Sequence, residues 1–294
     1  MEIRVLKYFL MTAREENITR AAELLHITQP TLSRQLMQLE EELGTKLFTR
    51  SSHSIRLTED GMLLKRRAQE LVQLAEQTER EFQHSGEELS GNIAIGSGET
   101  NSLQELAEMI RQFQEKHPMV QYDLYTATAD EIKERLDKGL LDIGLLTEPV
   151  DIMKYNFIRL KQKEQWGILV RKDSELAEKQ SVGPADLLDV PVFLTHRALV
   201  KNEIEGWFGD YYDQIHTAGT YNLINNAAVM VRNHIGVAFC FQLQSQFDDL
   251  KYVPIAPQIE TGAVIVWKKG QIVSRTTHQF IGFLKSIREK NEQQ

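Results

Sequence analysis

The sequence predicts a multidomain α+β protein: an N-terminal winged helix-turn-helix, a long linker helix, and a C-terminal two-lobed α/β domain. Three patterns carry this prediction: short amphipathic helices first, then apolar side chains at heptad spacing, then alternating strands and helices. A chain of 294 residues also exceeds the size at which one hydrophobic core usually stops growing. The predicted domains are 1–58, 59–90 and 91–294, with lobe I at 91–161 and 267–294 and lobe II at 162–266.

The stretch NITRAAELLHITQPTLSRQ has the pattern of a helix, a short turn and a second helix. Thr19 and Thr28 are expected to cap the two helices, because a threonine oxygen accepts a hydrogen bond from a free N–H at a helix start. Pro30 suits the first turn of the second helix, and Gly44 suits its end. This spacing predicts a helix-turn-helix.

The second of these helices has two distinct faces. The apolar face carries Leu32, Leu36, Leu39 and Leu43. The opposite face presents Pro30, Arg34, Gln38 and Glu41, with Ser33 and Gln35 on its flanks. Glutamine and arginine can recognise base edges, and serine can bind phosphates. Packed helix pairs are common, so this pattern alone does not separate DNA binding from assembly.

Residues 46–61 predict a small β-hairpin, or wing, after the second helix. Leu47–Thr49 and Ile55–Leu57 have strand character and flank a polar tip. The cations available on this hairpin are Arg50, His53 and Arg56. The alternative is a hairpin that is simply solvated.

The following segment predicts a long helix that starts after Thr58, with Glu59 and Asp60 at its positive end. Apolar side chains recur along it at heptad spacing, and we predict that they form a dimer interface: Leu64, Ala68, Leu71, Ala75 and Phe82. The small alanines would let a partner helix approach closely. The alternative is that this face packs on its own chain.

Strands and helices alternate from residue 92, which predicts sheets covered by helices. Two extended stretches within 157–173 lead into a second unit of the same kind, and the strand GAVIVWKK leads back. This layout predicts two lobes joined by two crossings, which together form a hinged clamp. A last amphipathic helix is expected over 275–291.

Ligands of such sheets bind beyond the carboxyl ends of the strands. Several of these ends carry hydroxyl, amide or imidazole side chains, and they predict a site for a small polar or anionic ligand: Ser97, Thr100, Asn101, Thr128, Thr195, His196, Tyr221 and Asn222. The alternative at any one position is an ordinary helix cap. Ser102 is expected to be such a cap.

The sequence offers no sign of an enzyme, a cofactor or a metal site. It contains no GxGxxG, P-loop, GxSxG or HExxH motif, and its eight histidines lack metal-ligand spacing. The acidic run Glu40–Glu42 is interpreted as solvated charge. The single cysteine, Cys240, is interpreted as a small buried hydrophobe.

The net charge of −8 argues against a protein that coats polyanions through bulk charge. Residues 1–60 carry eight basic and nine acidic side chains, so any nucleic-acid binding must depend on the placement of a few cations. The sequence has no apolar run of about eighteen residues, and its N-terminus lacks a signal-peptide layout. We therefore expect a cytoplasmic protein.

The stretch from FLMTAREENITR to LTEDG resembles the DNA-binding domain of LysR-type transcriptional regulators. The matching residues are Phe9, Ala21, Ala22, Leu24, Gln29, Pro30, Leu32, Ser33, Arg34, Leu39, Glu40, Leu43, Gly44, Leu47, Phe48, Arg50, Leu57, Thr58 and Gly61. The rest of the chain is similar only in layout, including GLLDIGLL and IGVAF. The resemblance implies a winged helix-turn-helix, a dimerising linker helix and an effector domain like the periplasmic binding proteins.

The resemblance also implies roles for individual residues and partners. The side chains expected to approach DNA are Gln29, Pro30, Thr31, Ser33, Arg34 and Gln38 on the helix, with Arg50 and His53 on the wing. His53 stands where the family usually has a permanent cation, so wing affinity is expected to be weaker and pH-dependent. Such regulators are usually homotetramers that bind promoter DNA and respond to a small metabolite.

Two hypotheses follow for the whole chain. In the first, the protein is a LysR-like regulator that binds DNA as an oligomer and senses a small polar metabolite. In the second, it is a ligand-binding or catalytic α/β protein whose N-terminal helices serve only for assembly. The second hypothesis predicts no salt-dependent DNA binding and full activity without residues 1–57.

Overall fold

The computed structural model describes residues 1–50, 55–82, 88–242 and 247–292. The predicted wing tip, with His53, lies outside these ranges. The chain divides into two compact units, Met1–Ser85 and Gly86–Gln294, so the long helix groups with the N-terminal unit. Among the helices of the described ranges, none has the length and apolarity that a membrane crossing requires.

The N-terminal unit is a helical core with a hairpin, as the sequence predicts. Its elements are α1 Ile3–Glu15, α2 Ile18–Leu24, α3 Gln29–Leu43, β1 Phe48–Arg50, β2 Ile55–Leu57 and α4 Glu59–Phe82. Leu32, Leu36 and Leu39 of α3 are at most 2% exposed and pack with Phe9. Each such side chain stabilises the fold by about 1.5–3 kcal/mol. Leu43 is 41% exposed, so the predicted apolar stripe ends one turn early.

The ends of these helices follow most of the predicted caps. Thr28 caps α3 by accepting a hydrogen bond from the N–H of Thr31, and Gly44 ends it with a φ of 67°. The prediction for α2 was wrong: Asn17, not Thr19, caps it by accepting from the N–H of Arg20. The helix therefore begins two residues earlier than expected, because an asparagine oxygen is an equally good cap.

Glu40 joins α3 to the wing. Its carboxylate is 6% exposed, and it accepts hydrogen bonds from the N–H groups of Leu47 (2.9 Å) and Phe48 (3.3 Å). Lys46 Nζ lies 2.8 Å from the other oxygen. Burial alone would raise the pKa of Glu40, but the hydrogen bonds from Lys46 and the two amides bring it below its ordinary value. The interpretation of this residue as solvated charge was wrong.

Part of the predicted dimer interface on α4 is used inside the chain. Ala68 is fully buried in the core of its own unit, and Leu64 packs against that core. Glu76 forms an ion pair with Lys7 of α1 at 2.8 Å. These contacts correct the prediction for Ala68, because its side chain is enclosed within its own unit beside α1. The dimer role of the other positions stays a prediction. The side chain of Phe82 lies outside the described residues.

The second unit contains two sheets with helices. Its elements are β3 Gly91–Ser97, α5 Leu103–Lys116, β4 Val120–Thr126, α6 Ala129–Asp137, β5 Ile143–Thr147, β6 Tyr155–Arg159, β7 Glu164–Arg171, α7 Glu175–Glu178, β8 Val192–Thr195, α8 Ala198–Phe208, β9 Thr217–Tyr221, α9 Ile224–Arg232, β10 Val237–Phe241, β11 Leu250–Pro254, β12 Glu260–Thr261, β13 Ala263–Lys268 and α10 Arg275–Glu292. The sequence predicted most of these elements and missed α7, β11 and β12.

The two sheets form two lobes. The order in lobe I is β4-β3-β5-β13-β6, with β4 and β5 parallel to β3 and with β13 antiparallel to both neighbours. The order in lobe II is β11-β7-β10-β8-β9, with β8 parallel to β9 and β10, and β7 antiparallel to β10 and β11. This architecture confirms the predicted two-lobed α/β class.

The return crossing lies earlier than predicted. Strand β13 belongs to the sheet of lobe I, so the chain re-enters this lobe before Ala263 and not at residue 267. The two crossings pair with each other through β7 and β12, with Thr261 opposite Glu164. The indole N–H of Trp166 also donates to the hydroxyl of Thr261 at 2.9 Å. The crossings thus form one hydrogen-bonded hinge.

Candidate nucleic-acid interface and ligand cavity

The outward face of α3 carries the side chains that the sequence selected for DNA. Gln29, Pro30, Arg34 and Gln38 are exposed, and Thr31 and Ser33 are partly exposed. The buried leucines on the opposite face hold this surface in place. A short helix with an apolar back and a polar front fits the geometry that enters a major groove.

Local hydrogen bonds order the start of this surface. Gln29 Nε2 donates to Ser33 Oγ at 2.8 Å, and the hydroxyls of Thr28 and Thr31 are 2.8 Å apart. Within the described part of the chain, no hydrogen bond or ion pair engages Arg34. Its guanidinium is therefore available to a base edge or a phosphate.

The polar surface becomes acidic toward the end of α3. Gln38 Nε2 donates to a carboxylate oxygen of Glu42 at 3.3 Å, and the N-terminal amine of Met1 lies 2.6 Å from the same carboxylate. The amide of Gln38 is thus already engaged. The geometry favours the first two turns of α3 for contacts with an anionic partner.

The wing provides fewer described contacts. Its strands pair antiparallel, with Thr49 opposite Arg56, and the side chain of Arg56 is exposed. A Cβ on Gly61 would lie 2.1 Å from the carbonyl oxygen of Leu47, so only glycine lets α4 start this close to the hairpin. The side chain of Arg50 lies outside the described residues, as does His53.

A cavity of about 80 Å³ lies between the lobes of the second unit. Its lining residues come mainly from the carboxyl ends of the strands: Gly98, Glu99, Thr100, Ala127, Thr128, Ala129, Leu145, Leu146, Thr147, Trp166, Thr195, Arg197, Val200, Tyr221, Asn222, Leu223, Ile224, Cys240 and Phe241. The predicted ligand residues Thr100, Thr128, Thr195, Tyr221 and Asn222 are among them.

Three predicted ligand residues do not line the cavity. Ser97 is 6% exposed, and its hydroxyl donates to the carbonyl of Gly98. The side-chain amide of Asn101 donates to the carbonyl of Gln242. His196 is exposed, and its backbone N–H extends the strand pairing to Tyr221. Each residue lies at a strand end, as predicted, but its side chain is directed elsewhere.

Buried Glu164 of the hinge holds the start of α5. Its carboxylate accepts hydrogen bonds from the hydroxyls of Thr100 and Ser102 and from the N–H groups of Asn101 (3.2 Å) and Ser102 (2.7 Å). Ser102 stands at the N-cap position of α5, as predicted, but its hydroxyl makes no cap hydrogen bond and donates to Glu164 instead. Sequence gives no local signal for this cap, since 62 positions separate the two residues.

Some hydroxyls that line the cavity already form hydrogen bonds within the protein. Thr128 forms a reciprocal capping box with Glu131 at the start of α6, so the helix-cap alternative applies to it. The phenol of Tyr221 donates to the carbonyl of Phe239 at 2.7 Å. Burial raises the pKa of Tyr221 well above its ordinary value, and burial raises that of Cys240 to about 12. Both groups are neutral near pH 7, and Cys240 is buried as predicted.

Charged side chains bridge the two lobes beside the cavity. Glu99 of lobe I accepts hydrogen bonds from the N–H of Ile224 and from Nδ2 of Asn225 (2.6 Å) at the start of α9. Arg197 of lobe II donates to the hydroxyl of Thr147 (3.0 Å) and to the carbonyl of Pro149 (2.9 Å). Both residues follow predicted strands, and Arg197 is the arginine that the sequence places in the predicted cleft, but neither was among the predicted ligand residues.

The described residues include no group of three or more His, Cys, Asp or Glu side chains placed to hold a metal ion. The cavity joins apolar walls to hydroxyls, one amide and two opposite charges. This arrangement can bind and orient a small polar molecule.

Two family models match the chain. The model of the LysR substrate binding domain matches residues 86–288. The model of the bacterial regulatory helix-turn-helix protein, lysR family, matches residues 3–62. Together they cover both compact units.

Several known proteins are similar to the chain. An uncharacterized HTH-type transcriptional regulator of Bacillus subtilis, YvbU, is 30% identical over 249 residues, which are 83% of this chain and 82% of the relative. The HTH-type transcriptional activator IlvY of Salmonella typhimurium is 30% identical over 209 residues, 71% of each chain.

Solved structures show the same fold. The crystal structure of CbnR, a LysR family transcriptional regulator, has a TM-score of 0.79 and 20% identity, and the match covers 98% of this chain and 99% of that one. Full-length CbnR complexed with its target DNA has a TM-score of 0.76 and 20% identity, and covers 97% and 99%.

Proposed function

The chain belongs to the LysR family of transcriptional regulators, and we propose that it reads its promoters with α3 and senses a small polar or anionic metabolite in the interlobe cavity. It is a DNA-binding regulator with an effector-binding domain, and not an enzyme. The observation that carries the proposal is the ordered polar face of α3, where Arg34 has no protein partner among the described residues.

The proposed DNA contacts divide by chemistry. Gln29 and Arg34 would hydrogen-bond base edges in the major groove, while Thr31 and Ser33 would bind flanking phosphates. Pro30 would pack against the DNA at the start of α3. Gln38 contributes less, because its amide already contacts Glu42. Arg50 and His53 of the wing would meet the DNA backbone.

The proposed effector site is the cavity between the lobes. Thr100, Thr128, Thr195, Tyr221 and Asn222 supply its predicted polar groups. The hinge formed by the two crossings would let the lobes change their separation when a ligand enters.

The proposed assembly is a homodimer through α4, and a homotetramer by analogy with the family. Multiple copies would offset the small number of cations that each chain offers to DNA. We also propose a cytoplasmic location and three functional segments, which are residues 1–58, 59–90 and 91–294.

Footprinting of the full chain on its upstream intergenic DNA, and on genomic fragments selected for binding, tests the proposed function. We expect a discrete protected region whose two halves are related by symmetry, as an oligomer requires. Protection that is absent from every selected fragment would contradict the proposal.

A further inference from the structure

Two carboxylates of the protein occupy helix N-termini in the second unit, and one of them, Glu99, lines the cavity. Glu164 accepts hydrogen bonds at the start of α5, and Glu99 of one lobe does so at the start of α9 in the other. Helix N-termini are common receptors for ligand anions because their free N–H groups point outward. Here both receptors already hold an anionic group of the protein.

Arg197 is the basic residue among those that line the cavity, and its partners are neutral. Its terminal nitrogens donate to the hydroxyl and carbonyl of Thr147 and to the carbonyl of Pro149. Nε is buried without a hydrogen-bond partner. Across the described chain, no carboxylate lies within ion-pair distance of this guanidinium.

The environment of Arg197 leaves its positive charge incompletely compensated. Burial lowers the pKa of Arg197, while the more distant charges of Asp130 and Glu203 act in the opposite direction. A buried charge without a contacting counter-ion is unfavourable, and a ligand that supplies the counter-ion recovers this free energy. Arg197 therefore lacks a contacting counter-ion that a ligand in the cavity could supply.

We propose that the effector is a small monoanion, of the short-chain monocarboxylate class, whose charged group binds beside the guanidinium of Arg197. Its apolar part packs on Leu145, Val200 and Ile224. The cavity of about 80 Å³ is smaller than the cavity of about 150 Å³ that accommodates benzene, so an apolar part of a few carbon atoms suits it. The inference rests on the proposed role of this cavity as the effector site.

The same arrangement selects against dianions. The N–H of Ile224 at the start of α9 is already bonded to Glu99, so a second negative group would compete there with that carboxylate. It would also lie near the charge of Glu99, which lines the cavity. Glu99 is thus a specificity-determining residue, and Arg197 is the anion receptor.

Calorimetric titration of the full chain with three probes tests this proposal. The probes are propanoate, its neutral isostere propanamide, and doubly ionised malonate. We expect propanoate to bind at least about tenfold more tightly than either other probe, since one charge-assisted hydrogen bond is worth that factor or more. Equal binding of propanoate and propanamide would overturn the proposal, as would the absence of propanoate binding.

Variants locate the receptor. Arg197→Gln is expected to weaken propanoate binding at least about tenfold and to weaken propanamide binding by less, so that the preference for propanoate falls. Arg197→Lys, which keeps the charge and guards against a folding defect, should retain the preference for propanoate. Arg111→Gln is the matched control, because Arg111 is paired on the exposed surface of α5. Unchanged propanoate binding by folded Arg197→Gln would overturn the assignment.

A second variant tests the exclusion of dianions. Glu99→Gln removes the negative charge beside the cavity, and we expect the ratio of malonate to propanoate affinity to rise about tenfold. An unchanged ratio would overturn the role of Glu99. The same preparation is assayed for DNA binding. A parent chain that binds no DNA would contradict the proposed function. A chain that binds DNA, but whose binding of the monoanion does not depend on Arg197, would contradict this inference alone.

Discussion

At the scale of single residues, Arg34 is the side chain most directly assigned to DNA. It is exposed on α3 beside Ser33, and no described group of the protein engages it. Arg34→Ala is expected to weaken specific binding by about 1–3 kcal/mol and to relax the preference for one base. Fluorescence anisotropy with operator variants measures both effects.

The control for this prediction removes one positive charge outside the N-terminal unit. Arg111→Ala lies in the second unit, so its affinity for the operator should match that of the parent chain. If Arg34→Ala binds every operator variant as the parent does, Arg34 does not contact DNA.

Glu40 gives a prediction about pH. Because the folded-state pKa of Glu40 is below its ordinary value, its ionised form stabilises the fold near neutrality, and this contribution is lost as pH falls through the folded-state pKa. Glu40→Gln should therefore lower the free energy of unfolding by about 1–3 kcal/mol near neutrality, and the deficit should shrink in acid.

Chemical denaturation of both chains across this pH range measures the deficit. Glu41→Gln is the control, since Glu41 is exposed one position further along α3. A deficit that is the same at every pH would show that the charge of Glu40 is not the stabilising feature.

At the scale of elements, α4 presents a second apolar row that faces away from α1. Leu63, Leu71 and Leu74 are 39–55% exposed, whereas Ala68 is buried. We predict that this outward row forms the dimer contact. Leu71 belongs both to this row and to the heptad positions that the sequence predicted. The double variant Leu71→Asp, Leu74→Asp should lower the mass of the assembly in sedimentation equilibrium, because charge opposes burial of the row.

A variant at an isolated apolar side chain controls for surface charge. Ile272 is 98% exposed, and Ile272→Asp should leave the mass unchanged. An unaltered mass for the α4 variant would move the interface elsewhere on the chain.

Elements could be predicted from sequence where their causes are local. Thr28 and Gly44 bound α3 through contacts within a few residues, and the spacing of its leucines gives its buried face. Glu164 caps α5 from the hinge, and β13 takes its place by pairing with β5 and β6. No local pattern encodes either contact, because each depends on how distant segments meet.

At the scale of the whole molecule, the rule that ligands bind at strand ends predicted where the cavity lies but not all of the side chains that line it. Thr100 and Tyr221 line it, whereas Ser97 turns inward and His196 outward. Side-chain direction at the end of a strand depends on the last turn of the backbone, which residue type does not determine. The contacts of Glu99 and Arg197 each join the two lobes, so their partners depend on tertiary structure that no local pattern encodes.

The net charge of −8 makes DNA binding by the whole molecule depend on a few placed cations. The most direct test is titration of the full chain against its upstream DNA at two salt concentrations, with random DNA as competitor. We expect saturable binding that weakens with salt and outcompetes random DNA. Equal affinity for random DNA, together with no preferred fragment from the whole genome, would contradict it.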